Sequence, residues 1–195
     1  MVDIWLMRHG AYEGHRPGHH APFDATLTSQ GRDQIRHSLP LPDGTEAIVT
    51  SPLPRARQTA ELIADLTQLP IIATSALLAE WRAPSIVLNH SPDTYPSAYL
   101  EWRERRLSQP SLRCGDGESL TDLHTRAGHC VEFLQRTAHA HGNLLAVSHK
   151  LLLGVVTRRE EGPAAFINAA TEQWPFAERR PLRTPVAPQR DGATR

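Results

Sequence analysis

The chain has 195 residues, 39% of them hydrophobic, which suffices for one well-buried core and, at a usual domain size of roughly 100–200 residues, argues against two domains. Lysine plus arginine and aspartate plus glutamate total 21 each, so the formal charge is zero and no global field draws the chain to nucleic acid or a membrane surface. No run approaches the roughly 18–20 apolar residues of a membrane span, and Cys114 and Cys130 stand outside any Cys-x-x-Cys pair or disulfide framework. The first residues run straight into a strand pattern with no basic leader or cleavage site, which gives the expectation of a soluble cytoplasmic protein.

In chain order, Val2 to Met7 is an almost unbroken apolar run that stops abruptly in Arg8-His9-Gly10. It reads as a buried strand delivering a basic pair and a flexible glycine to a sheet edge, where ligands of open α/β sheets collect. Ala11 to Ala25 is rich in Gly, Pro and His without periodicity and reads as a long loop. His15, Arg16, His19 and His20 have no acidic or cysteine partner at ligand spacing, so the loop is read as a polar lid over a cleft, with no metal expected. Thr28 or Ser29 offers a cap for a helix through Ile35 to about Leu39, ended by the Pro40-to-Gly44 turn.

Glu46 to Thr50 is the second strand. Ser51 is expected to cap the next helix, with Pro52 at its first position, where a missing N–H costs nothing. Leu53, Ala56, Ala60 and Ile63 keep one face on the sheet, and Arg55 lies in the first turn, near the positive end of the helix dipole. Arg57, about 200° further around the axis, cannot share a small site with Arg55 and is assigned to the surface. Leu69 to Ala73 reads as a short third strand leading to Glu80, a carboxylate that local pattern leaves open between a solvated loop residue and a general acid at a cleft.

Residues 82 to 116 lack strand signals and carry one charged amphipathic helix, Ala98 to Leu107. Ser119-x-x-Asp122 resembles a capping box opening the longest helix, whose stripe of Leu120, Leu123, Ala127, Val131, Leu134 and Ala138 should cover one sheet face. Asn143 to Val147 is another strand, ending in Ser148-His149-Lys150, and Leu151 to Thr157 is a short helix. Strand-like or irregular chain is expected near Ala165 to Asn168 and Thr171 to Phe176, then a disordered Pro/Arg-rich tail over 177–195.

Three strands thus end in chemistry: in Arg8-His9, in the turn to Arg55, and in His149. If they are parallel neighbours, two arginines and two histidines share one edge and form a pocket suited to a phosphoryl group. The chain has no Gly-x-x-x-x-Gly-Lys-[Ser/Thr] loop, no Cys-centred phosphate loop and no carboxylate cluster for a metal pair, leaving histidine as the best nucleophile candidate.

The segments Leu6-Met7-Arg8-His9-Gly10, Ser51 to Ala60, Gly117-Glu118-Ser119 and Val147-Ser148-His149 resemble, in order, the motifs of the histidine phosphatase superfamily, the phosphoglycerate mutase-like group, branch 1. The resemblance implies a three-layer α/β/α sandwich with a mostly parallel central sheet. It implies a domain over 1–176 carrying a cap insertion at about 82–116. It further implies a metal-independent, cofactor-free phosphomonoester hydrolase acting on a small phosphorylated metabolite through a phosphohistidine. His9 would take the phosphoryl group, Arg8, Arg55 and a protonated His149 would hold its oxygens, and Glu80 would protonate the leaving alcohol and then activate water. Glu13 is the alternative proton donor. Phosphoglycerate mutase-type transfer and a non-catalytic phospho-ligand or protein-binding module are the alternative functions. Lys150 stands where the family commonly has glycine; with Arg16, His20 and Arg82 it is read either as solvated surface charge or as a contact for a second acidic group on the substrate.

Overall fold

The computed structural model describes residues 2–183. Five strands, β1 (Ile4–Arg8), β2 (Thr45–Thr50), β3 (Ile71–Thr74), β4 (Asn143–Ser148) and β5 (Arg179–Pro181), form one sheet in the order β3-β2-β4-β1-β5. The first four run parallel and β5 is antiparallel to β1. Around them lie α1 (Ser29–His37), α2 (Pro54–Thr67), α3 (Ser97–Arg105), α4 (Leu120–His141), α5 (Lys150–Thr157) and α6 (Ala165–Thr171).

Strand side chains alternate between two cores, as the period of an extended chain requires. Ile4, Leu6, Ala47, Val49, Leu144 and Ala146 face a cluster with α4, α5 and α6, while Met7, Ile48, Leu145 and Val147 face one built on Ile35 of α1 and Ala56, Ala60 and Ile63 of α2. The sheet is therefore covered on both faces: a three-layer α/β/α sandwich with a mostly parallel sheet. Among the described residues no helix is long and apolar enough to cross a membrane.

Helix starts follow local chemistry. The Thr28 hydroxyl accepts from Gly31 N to cap α1, and Ser119 and Asp122 form the expected reciprocal box at α4. At α2 the expectation fails by two residues: the helix begins at Pro54 with Leu53 as its cap. The Ser51 hydroxyl is occupied by His149 and by Leu53 N, so the Ser51-to-Leu53 stretch forms a turn and the second proline takes the first helical position. Arg55 stays in the first turn.

Two further expectations are corrected. Residues 165–171 are helical, because the alanine-rich stretch packs Ala165, Phe166 and Ala169 inward, with Ala169 against Gly154 of α5. The expected disordered tail enters the sheet at Arg179–Pro181. An edge strand tolerates the proline, and Arg180 is paired with Glu172 and Glu178. The rest of that stretch, 184–195, lies outside the described residues.

Loop and helix meet most closely at two glycines. A β-carbon on Gly31 would lie 2.1 Å from the Ala11 carbonyl oxygen, and one on Gly10 would lie 2.6 Å from that of Gly31. Backbone must move to admit either, so Gly31→Ala is expected to lower stability by about 1–3 kcal/mol, read as a reduced urea midpoint at unchanged slope.

Candidate active site

The strand ends set the site. β1 and β4 pair in parallel with Arg8 opposite Ser148, and His9 N donates to Ser148 O at 3.0 Å, so His9 and His149 leave the sheet side by side. Their ring centroids are 5.0 Å apart, and both residues are buried. The Nδ1 of His9 lies 2.7 Å from the Gly10 carbonyl. A carbonyl only accepts, so Nδ1 carries the proton and Nε2 presents its lone pair. Arg55 Nε donates to that Nε2 at 3.2 Å, and Arg55 Nη1 donates to Pro22 O at 3.0 Å.

Thr59 ties helix to strand end, accepting from Gly10 N at 3.2 Å and donating to Arg55 O at 2.7 Å. On the other side, Arg8 donates to the Trp174 carbonyl, and its guanidinium carbon lies 3.8 Å from the centre of the Phe176 ring. His149 Nε2 is 2.8 Å from Ser51 Oγ, while its Nδ1 is buried without a partner.

Glu80 is half-buried, and its carboxylate accepts from Trp81 N, Leu152 N and Leu151 N at 2.9, 3.0 and 3.3 Å. The last two belong to the free N–H groups of the first turn of α5, so the helix that follows His149 also holds Glu80. A cleft of about 360 Å³ is lined by Arg8, Arg55 and Glu80 with Tyr12, Trp81 and Lys150, while the buried His9 and His149 are not part of its lining. Glu13, the alternative donor, is exposed and does not line it.

The lid expectation can be placed. Tyr12 and Leu27 bridge to close the neck of the loop, and His15, Arg16, His19, His20 and Phe23 border the cleft. Tyr95, within the 82–116 segment, donates to Gly18 O at 3.1 Å, so that segment rests on the loop as a cap. Lys150 is half-buried and donates to Ala170 O at 2.8 Å. Arg82 instead lines a neighbouring depression with Glu118 and Arg126.

Burial is the main influence on the imidazoles. It holds His9 neutral well below the usual histidine range, helped by Arg55 and Arg8, and does the same to His149, helped by His9 and Arg55. The expected protonated His149 is thus not the form that burial favours: a third cation beside Arg8 and Arg55 would have only the Glu80 carboxylate to share with them. Desolvation also lowers Arg8 and Arg55, with the Glu80 carboxylate opposing it in each case.

The family pattern for the histidine phosphatase superfamily (branch 1) matches residues 4–167. The chain belongs to this superfamily. It is an enzyme of the class that contains phosphatases and phosphoglycerate mutase-like proteins. As a branch 1 histidine phosphatase it is 29% identical over 158 residues to the probable phosphoglycerate mutase GpmB of Photorhabdus laumondii, covering 79% of this chain and 72% of that one. It is 26% identical over 175 residues to the adenosylcobalamin/alpha-ribazole phosphatase of Escherichia coli K12, covering 84% and 81%. The fold is shared with the alpha-ribazole phosphatase of Shigella flexneri, at a TM-score of 0.74 and 21% identity, over 92% of this chain and 89% of that one.

Sequence reasoning missed Ser51, Thr59, Tyr12 and Phe176 as neighbours of the candidate site residues. The first two had a signal, since both are polar residues inside the motif that carries Arg55. The aromatic pair had none, because their value lies in contacts made across the fold.

The two neutral imidazoles give a pH signature. An unfolded histidine titrates near 6.5, so as pH falls below about 6.5 the unfolded chain takes up protons that the folded rings refuse. Stability is therefore present above that value and lost below it, by at most about 1.4 kcal/mol per histidine per pH unit, with a smaller contribution from the partly buried His20. Urea midpoints measured from about pH 7.5 down to 5.5 should fall, and His149→Gln should make the fall shallower.

Proposed function

We propose that the chain is a metal-independent phosphomonoesterase that works through a phosphohistidine at His9 on a small phosphorylated metabolite. The observation that carries this reading is the pairing of a fixed Nδ1–H tautomer at His9 with an Nε2 lone pair facing Arg55. In the first half-reaction Nε2 bonds to phosphorus, the P–O bond to the alcohol breaks, and the alcohol oxygen takes a proton from Glu80. In the second, water bonds to phosphorus, the N–P bond breaks, and the water proton returns to Glu80.

Arg8, Arg55 and His149 surround the phosphoryl oxygens, and the dianion draws a proton onto His149 as it binds, supplying the charge that burial withholds from the empty site. Arg55 gives up its contact with His9 Nε2 when phosphate oxygens replace it. The volume of the cleft suits a small metabolite.

Hydrolysis is preferred over mutase-type transfer because the loop residues bordering the cleft, Arg16, Gly18 and Phe23, are exposed, so the cleft that holds Arg8, Arg55 and Glu80 is open to water. Transfer remains the second reading, supported by the relatives named as probable phosphoglycerate mutases. Phosphate release against isomer formation from a phosphoglycerate separates the two.

His9→Ala is expected to lose both turnover and an acid-labile, base-stable phosphoryl adduct trapped by rapid quenching with a labelled ester. Turnover retained without that adduct would overturn the proposal. Lys150 lines the cleft with its ammonium bonded to a carbonyl and in no direct ion pair among the described residues, so Lys150→Ala should raise KM roughly tenfold for esters bearing a carboxylate or second phosphate, about one charge-assisted hydrogen bond. Esters of uncharged alcohols should change several-fold less.

A further inference from the structure

The Gly117-Glu118-Ser119 motif does more than open α4. Arg126, seven residues into the helix, pairs with Glu118 through two bonds, Nε to Oε1 at 2.7 Å and Nη2 to Oε2 at 2.8 Å. The same guanidinium then crosses to the chain that carries Glu80. Its Nη1 donates to Leu77 O at 3.2 Å and Ala79 O at 2.7 Å, and its Nη2 donates to Glu80 O at 3.4 Å. The carbonyl left between these, Leu78 O, accepts from Ser148 Oγ at 2.7 Å. Every carbonyl from Leu77 to Glu80 is thereby held by a side chain, in a stretch that belongs to no helix or strand beyond Leu78.

Glu118 adds a second grip through its backbone. Its carbonyl accepts from Trp81 Nε1 at 2.8 Å, its N donates to Arg82 O at 2.9 Å, and its carboxylate takes Arg82 N at 3.3 Å. The ion pair is largely withdrawn from water, with 18% and 11% of the two side chains exposed. Such a pair is costly to bury and is a poor stabiliser on its own account, so its five bonds matter here for what they fix in place.

We propose that Arg126 and Glu118 form a positioning device for the proton donor, clamping the backbone on both sides of Glu80 so that its carboxylate meets the leaving oxygen. The inference rests on the reading of Glu80 as that donor. Both are argued to act through Glu80, since neither Arg126 nor Glu118 lines the cleft. Glu80 lines both that cleft and the depression bordered by the pair.

A lysine at 126 keeps the charge beside Glu118 but cannot span three carbonyls, and a glutamine at 118 keeps the shape without the ion pair. Arg126→Lys and Glu118→Gln are compared with Glu80→Gln over a series of esters from 4-nitrophenyl phosphate to alkyl phosphates. The reading is kcat/KM, which reports phosphoryl transfer to His9. A displaced acid costs nothing when the leaving group needs no proton, and roughly 10- to 100-fold when it does. Expected is a loss of that size on alkyl phosphates and less than about threefold on 4-nitrophenyl phosphate, in the same sense as for Glu80→Gln. If Glu80→Gln shows the selective loss and the other two lose all esters equally, whether folded or unfolded, the clamp is overturned. If Glu80→Gln itself shows no selectivity, the assignment of Glu80 fails and the clamp with it, while the phosphohistidine reading of His9 stands.

Discussion

The site depends on one register, the parallel pairing of β1 with β4 that sets Arg8 opposite Ser148. Both strands are buried on two faces, so each alternating side chain is committed to one of the two cores. A slip by one residue would send Leu6 and Met7 into the wrong layers. The hydrophobic pattern of the interior is therefore what keeps His9 beside His149. Catalytic geometry is inherited from packing, and no side-chain contact within the pocket needs to hold the sheet in register.

Charge is arranged around that pair by separate means. Arg55 arrives on the first turn of α2, Arg8 on the strand itself, and Glu80 on a loop held by helix α5 and by Arg126. The buried guanidinium of Arg55 and the half-buried one of Arg8 share the cleft with one carboxylate, and burial drives both imidazoles neutral. The pocket thus carries more positive than negative charge among the described residues, a match for the dianion of the proposed reading. The loop and the 82–116 segment form its outer wall.

Much of this was legible from residue order. Apolar runs ending in Arg8-His9, in the turn before Arg55 and in Ser148-His149 announce parallel strands that share an edge, and the capping residues at Thr28 and Ser119 announce two helices. What escaped was set by contacts between distant parts of the chain. Ser51 looked like a helix cap because its partner, His149, is 98 residues away. The Pro/Arg composition of 179–181 suggests a free tail only until Glu172 and Glu178 are seen beside Arg180. The neutrality of the His149 ring in this fold escaped for a similar reason: adjacent residues do not reveal that the ring is wholly buried.

The strand β5 has a consequence for truncation. Arg8 is held by the carbonyl of Trp174 and rests on Phe176, and β1 takes its outer neighbour from 179–181. A copy cut short before Trp174 would keep the pairing of β1 with β4 and yet lose what seats this guanidinium.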